Sequence, residues 1–405
     1  MERLYGNNDW KFAETWEEAM KEAVYPENEM EDVRLPHTCK ELPYHYFDEH
    51  AYQMLCGYRR HFMAPEAWQG KSVELTFEGV AHDAVVYVNG TEVKAHHCGY
   101  TAFSVELAKY LKYGEDNVLA VRVDSRENLN IPPFGYAIDY MTFGGMYREV
   151  YVQVRNKTHL ADVFVKSQIH PLQVTTEITV QNISDGITLQ QEIRKKGEGA
   201  YSPLGQKPVK QANVQTVFPV QEICLWEPEN PHLYEIRTSL WKNGEMIDAR
   251  VDITGFREAG FRKDGFYLNG KKLRLRGLNR HQSYPYVGYA APASMQIFDA
   301  DILKKELGVN AVRTSHYPQS QDFIRRCDEI GLLVFTEFPG WQHIGDEEWK
   351  RQAVQNLKEM IVQYRNHPSI ILWGVRINES QDDDVFYRET NRVAHELDDT
   401  RATGG

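Results

Sequence analysis

The 405-residue sequence contains no run of eighteen apolar residues, and its first thirty residues hold no apolar stretch of signal-peptide length. Neither a membrane span nor an export signal is therefore expected. Cysteine is scarce: the five residues Cys39, Cys56, Cys98, Cys224 and Cys327 are scattered, odd in number and without a C-x-x-C pair. That argues against a disulfide framework and a zinc or dithiol motif, and favours a reduced, cytoplasmic setting. Excess positive charge is missing as well, since 46 Lys and Arg stand against 58 Asp and Glu for a net charge of −12. A general binder of nucleic-acid phosphates or of an anionic membrane surface is disfavoured, and an uncharged partner fits better. Neither a G-x-G-x-x-G nor a G-x-x-x-x-G-K-[ST] pattern occurs, so nucleotide binding has no support.

Aromatic residues, by contrast, are plentiful, at 12% with 23 Tyr and 8 Trp. Flat rings with polar handles stack on sugar faces, and they equally fill β-rich cores. At about 150 residues per domain the length implies two to three domains. Residues 1–156 read as an all-β unit, with alternation in VELTF and VVYV and an Asn89-Gly90 pair suited to a type I′ hairpin. The unit closes with LAVRVD and REVYVQV around a long loop containing Pro132, Pro133, Gly135, Gly144 and Gly145, and loops of that length usually have a function. Residues 157–256 repeat the strand rhythm in shorter runs, with a second hairpin signal at Asn243-Gly244, and fit a sandwich of immunoglobulin-like size.

Over residues 257–405 the period changes. A hairpin at Asn269-Gly270 leads into KLRLRGL, after which helices alternate with the short strands NAVRTS, LLVFTE and SIILWGV. Phe323, Ile324, Cys327 and Ile330 share one helical face, and Ala353, Leu357, Ile361 and Tyr364 share another. Such a series predicts part of a (β/α)₈ barrel with its chemistry at the strand C-termini. A full barrel takes about 250 residues, so the stretch up to Gly405 supplies roughly four of eight units. The chain is expected to be the amino-terminal part of a larger enzyme.

The strongest chemical signal is LWGVRINES, where an apolar strand ends in Asn378-Glu379 and sets a carboxylate beside an amide at the barrel mouth. Glycoside hydrolysis needs such a carboxyl group, held in a partly apolar setting so that it can protonate the leaving oxygen. Taken alone, a Glu after a strand is more often a surface residue. Upstream stand LPHT, DYMTFGGMYREV, GFRE, RGLNRHQ, VRTSHYP and RNHPSIILWG, in that order. With these motifs the sequence resembles glycoside hydrolase family 2, the family of β-galactosidases, β-glucuronidases and β-mannosidases, over essentially its whole length.

The resemblance implies a jelly-roll sugar-binding domain, an immunoglobulin-like sandwich and a catalytic TIM barrel that retains anomeric configuration. It implies Glu379 as general acid and base and Asn378 as the holder of the sugar 2-hydroxyl. His281, Arg313 and His316 would line the pocket, Asp139 would reach across from the first domain, and Glu337 would be a secondary pocket acid. For each of these a cap, a turn or a salt bridge is the plainer alternative. Glu337 is followed by Phe338 and Pro339, so the imidazole that accompanies a magnesium site in some β-galactosidases is absent, and no metal or other cofactor is expected. Trp341 and Trp373 would form a stacking wall, with core packing the rival reading for Trp373. The nucleophile of the family lies on the seventh barrel strand, beyond residue 405.

His96-His97-Cys98 lacks a second ligand pair, and the run Asp382 to Asp384 reads as a helix N-terminus. An exo-acting β-glycosidase of β-galactosidase type is the expectation, with β-glucuronidase, β-mannosidase or a non-catalytic carbohydrate-binding protein as rivals. An open half-barrel exposes sheet edge and helix faces, which predicts self-association into a homo-oligomer.

Overall fold

The computed structural model describes residues 3–43, 48–135 and 137–405. The first unit is a two-sheet sandwich of jelly-roll type. One sheet has six strands in the order Glu31–Val33, Trp10–Ala13, Leu55–Met63, Asp116–Asp124, Asp83–Val88, Thr91–His96, and the other has four. Inward residues such as Tyr58, Val86, Val121 and Phe77 are fully buried between them, as period-2 alternation requires. The Asn89-Gly90 turn has φ of 50° and 84°, the paired left-handed residues of a type I′ hairpin, and Asn243-Gly244 and Asn269-Gly270 repeat it.

Seven strands make the sandwich of the second unit, with His159–Ile169, Leu172–Gln181 and Asn213–Pro219 facing a four-stranded sheet that runs to Thr254, and Trp226–Glu227 and Asn230–Pro231 form a separate two-stranded ribbon. Leu160, Val174, Leu189, Ile236 and Leu240 close the gap between the sheets. No Cys or Trp pair organises this core; branched aliphatics on alternating positions suffice.

An antiparallel meander, Ala259–Arg262, Gly265–Leu268 and Lys271–Leu273, leads into the third unit. There the parallel strands are β1 (Gly277–Arg280), β2 (Ala311–Thr314), β3 (Leu333–Glu337), β4 (Ile370–Gly374) and β5 (Ala402–Gly404). Between them run α1 (Ala293–Asp301), α2 (Gln321–Ile330), α3 (Glu347–Tyr364) and α4 (Asp384–Leu397). Four β/α units are thus present, and the final residues add a fifth strand: Leu372 pairs with Ala402 and Gly374 with Gly404. The helix ends follow their residues. Asp383 caps α4 by accepting from the Phe386 amide, and Gly331 at φ 72° closes α2 in the left-handed conformation. Among the described residues no helix is long and apolar enough to cross a membrane.

The first unit docks on the barrel through buried polar contacts. Arg148 donates to the Tyr100 carbonyl at 2.9 Å, the Gln282 side chain at 3.0 Å and the Pro318 carbonyl at 3.1 Å, tying one unit to the segments after β1 and β2. Thr101 and His96 meet Glu359 of α3, and the Trp349 indole donates to the Phe134 carbonyl at 3.1 Å. His96 therefore serves the interface, while His97 pairs with Asp83 at 2.7 Å.

Beneath the long loop, His82 Nε2 donates to the Thr142 carbonyl at 3.0 Å and its ring stands 5.0 Å from that of Phe134. Burial pushes the His82 pKa from 6.5 down to about 4. Between those values the unfolded chain binds a proton that the native state refuses, so stability is full above pH 6.5 and falls as the pH drops to 4. The thermal midpoint is expected to decline across that window, and His82→Gln to flatten the decline. An equally steep decline in the variant would remove His82 as its source.

Candidate active site

The candidate residues gather at the C-terminal ends of the parallel strands because the register brings them there. Arg313 of β2 lies beside Phe335 of β3, and Glu337 at the end of β3 lies beside Gly374 of β4. A Cβ on Gly374 would fall 2.3 Å from that of Glu337, so only glycine lets β4 pass the buried carboxylate. Past the strands, Trp341 and Asn378 form an isolated parallel bridge, and the Gln342 amide donates to the Asn378 carbonyl at 2.8 Å. The loops after β3 and β4 are thereby held side by side.

Glu337 is 2% exposed and accepts from two side chains. Arg313 Nε and Nη2 reach its Oε2 at 2.9 and 2.7 Å, and His316 Nδ1 reaches Oε1 at 2.6 Å. Arg313 Nη2 also donates to Asn378 Oδ1 at 2.9 Å. This is a charge-assisted network whose buried anion fixes two donors and one amide. Both oxygens of Glu337, expected as a pocket acid, are engaged by Arg313 and His316. Among the described residues no group of three or more His, Cys, Asp or Glu side chains is placed to hold a metal ion.

His281, after β1, meets the Tyr317 hydroxyl through Nδ1 at 3.0 Å, and its ring is 5.7 Å from that of His316. Desolvation, then the neighbouring His316, pushes its pKa down to about 4, so the ring is neutral at pH 7 and carries one donor and one acceptor. Asp139 is exposed on the loop from the first unit, and its charge acts on His281. Trp341 lies against His316 with ring centroids 4.8 Å apart.

Two expected features are corrected. Trp373 belongs to no stacking wall: it is fully buried in the barrel core, and its indole donates at 2.9 Å to Asp398, which also pairs with Arg401. Burial on both faces of β4 leaves this ring no route to the cleft. Trp373→Phe is expected to cost about 2 kcal/mol in denaturant unfolding, since Asp398 loses a buried donor, and to leave sugar affinity unchanged. Weakened sugar binding at undiminished stability would reinstate the wall. Glu379, in turn, lacks the anticipated apolar setting. Its carboxylate is exposed, on a residue at φ 55°, and accepts from Gln342 Nε2 at 3.0 Å.

Tyr140 and Gln342 are site residues that sequence reasoning did not single out. The Tyr140 ring packs 5.0 Å from His281, 6.0 Å from His316 and 6.3 Å from Trp341, filling the junction between loop and barrel. Tyr140 follows Asp139 in the motif DYMTFGGMYREV. Gln342 follows Trp341 directly, but nothing in residue type announces its contact with Glu379.

A jelly roll, an immunoglobulin-like sandwich and a parallel β/α sheet with ionisable groups at its strand ends make a multidomain architecture that includes part of a (β/α)₈ barrel. Residues 33–155 match the sugar binding domain of glycosyl hydrolases family 2, residues 158–257 match glycosyl hydrolases family 2, and residues 260–403 match the family's TIM barrel domain. The chain belongs to glycosyl hydrolase family 2. It is 48% identical over 98% of its length to a β-galactosidase of Thermoanaerobacter pseudethanolicus, covering 55% of that protein. A β-glucuronidase of Bacteroides fragilis is 32% identical over 84% of the chain, which covers 53% of it. Among solved structures, a β-glucuronidase of Bacteroides uniformis superposes with a TM-score of 0.90 at 28% identity, over 99% of this chain and 52% of that one. The chain spans about half the length of the curated relatives it matches.

Proposed function

We propose that these 405 residues supply the sugar-binding and acid/base half of a retaining exo-β-glycosidase, most closely of β-galactosidase type. The observation that carries the reading is the cluster at the ends of β2, β3 and β4, in which Glu379 stands beside an Asn378 amide already oriented by Arg313. With Oδ1 of Asn378 taken, its Nδ2 is the group left to hold a sugar 2-hydroxyl, a contact that tightens as the oxocarbenium-like transition state forms. Glu379 protonates the departing glycosidic oxygen and then takes a proton from the attacking water. His281 and Asp139 offer a neutral and an anionic partner to the remaining hydroxyls.

Double displacement needs a second carboxylate about 5 to 5.5 Å from the first. Both oxygens of Glu337 are engaged by Arg313 and His316, and Glu389 and Glu396 lie on α4 rather than at a strand end. We place the nucleophile on barrel residues outside this sequence. Identity to β-galactosidases at 48% favours a galactoside, whereas the β-glucuronidase superposition at a TM-score of 0.90 supports glucuronide cleavage as the second reading.

Hydrolysis of aryl β-galactoside, β-glucuronide and β-mannoside, by these 405 residues and by the protein at the length of its relatives, tests the proposal. Cleavage of the galactoside by the longer form alone is the expected result. Turnover by the 405 residues would show that a carboxylate described above completes the pair, and sugar binding without turnover at either length would favour a non-catalytic carbohydrate-binding protein.

A further inference from the structure

The loops after β3 and β4 meet at two residues with left-handed backbones, Gln342 at φ 56° and Glu379 at φ 55°. Outside glycine that conformation is uncommon and costs energy, so something must hold each residue in it. On the backbone, Gln342 N donates to the Asn378 carbonyl at 2.8 Å, and Trp341 bridges Asn378. At the root of the loops, a Cβ on Gly340 would meet Ile377 Cδ1 at 2.1 Å, so the two segments are in the closest contact the chain allows. Each loop is also anchored outward. The Ile377 amide donates to the Tyr387 hydroxyl of α4 at 3.3 Å, and the His343 ring stands edge-on to Trp349 of α3 at 5.7 Å. Out of this frame Gln342 Nε2 donates to Glu379 Oε2 at 3.0 Å.

We infer that Gln342 is a positioning residue for the acid/base carboxyl: its amide occupies one oxygen of Glu379, so that the other is the one presented to the glycosidic oxygen. The inference rests on the reading of Glu379 proposed above. A carboxyl group that must give a proton and later take one back needs a fixed direction in both states. An amide serves this well, because Nε2 carries hydrogens at every pH and Oε2 can accept whether or not Oε1 is protonated. In the first step the Oε1 proton passes to the departing oxygen as its bond to the anomeric carbon breaks. In the second, Oε1 takes a proton from the attacking water. Oε2 keeps its hydrogen bond throughout.

Gln342→Asn separates the amide from the backbone. Asparagine tolerates the left-handed conformation, so the loop frame persists, while a side chain shorter by one methylene cannot reach Glu379. Gln342→Gly removes the amide and relieves any backbone strain, and it serves if the asparagine variant folds poorly. The readout is kcat/KM on methyl β-galactoside and 2,4-dinitrophenyl β-galactoside, or the matching pair for whichever sugar is hydrolysed, using the form of the protein that shows hydrolysis. The alkyl group needs a proton to leave and the dinitrophenolate does not. A loss of about tenfold to a hundredfold on the methyl glycoside, with less than about threefold on the activated one, is expected. Glu379→Gln, measured beside it, should show the same pattern more strongly. Equal losses on both substrates, or none, while Glu379→Gln keeps its leaving-group dependence, would overturn the role of Gln342 and leave the acid assigned. A Glu379→Gln variant without that dependence would overturn both.

Discussion

Glu379→Gln is expected to lower turnover of an unactivated β-glycoside by about 10² to 10⁴-fold, the usual contribution of a positioned general acid, while binding of the sugar survives. The substitution isolates one property. Glutamine has the same shape, and its amide oxygen can still accept from Gln342 Nε2, so the loop contact at 3.0 Å has a counterpart in the variant. What disappears is the proton. Because Glu379 is exposed and takes part in no ion pair recorded among the described residues, little stability should go with it, and the thermal midpoint should stay within about 1 °C. A large loss of folding stability would mean that the carboxylate has a structural partner in the intact barrel. Undiminished turnover would mean that another group donates the proton, and the functional reading of the strand-end cluster would fail with it.

Much of this arrangement is legible in the sequence. The three Asn-Gly hairpins, the strand ending at Glu337 and the acidic cap of α4 all follow from local residue chemistry, and each occurs where the pattern put it. Elsewhere local chemistry was silent. Ala402–Gly404 is three residues with no apolar run, and becomes β5 only because β4 offers it a parallel partner. Helix α1 carries Ile297 and Phe298 on its exposed side, so no single apolar face marked it. Trp373 was misplaced because strands of a parallel sheet are buried on both sides, and alternation cannot then tell core from cleft. At the strand ends the structure brings Arg313, His316, Glu337 and Asn378 into contact, with Glu379 next in the chain. Their division of labour was not readable, since it depends on which oxygen accepts from which nitrogen. The exposure of Glu379 was a further surprise, because an apolar setting around a strand-end carboxylate needs covering residues that the described part of the barrel does not provide.

Removing the buried charge should do the reverse of removing the exposed one. Glu337→Gln keeps the volume at a position 2% exposed but withdraws the anion that Arg313 and His316 share. Two donors that converged on a carboxylate then face a neutral amide with a single acceptor atom, and one cation stays partly buried without compensation. Breaking such a pair costs about 3 to 5 kcal/mol when fully buried. Arg313 is 25% exposed and can recover some hydration, so about 3 kcal/mol in denaturant unfolding is the expected loss. Activity should fall too, by a different route. Arg313 Nη2 holds Asn378 Oδ1 at 2.9 Å only while the guanidinium is drawn to Glu337, and a shift of about 1 Å at a positioning amide costs on the order of 10²-fold. That loss should be the same for alkyl and dinitrophenyl glycosides, because Glu337 gives no proton to the leaving group. Kinetics on both substrates beside a urea titration would separate the two carboxylates. Leaving-group dependence without destabilisation marks Glu379, and destabilisation without leaving-group dependence marks Glu337. If Glu337→Gln instead spared stability and discriminated between leaving groups, the roles assigned to these two residues would have to be exchanged.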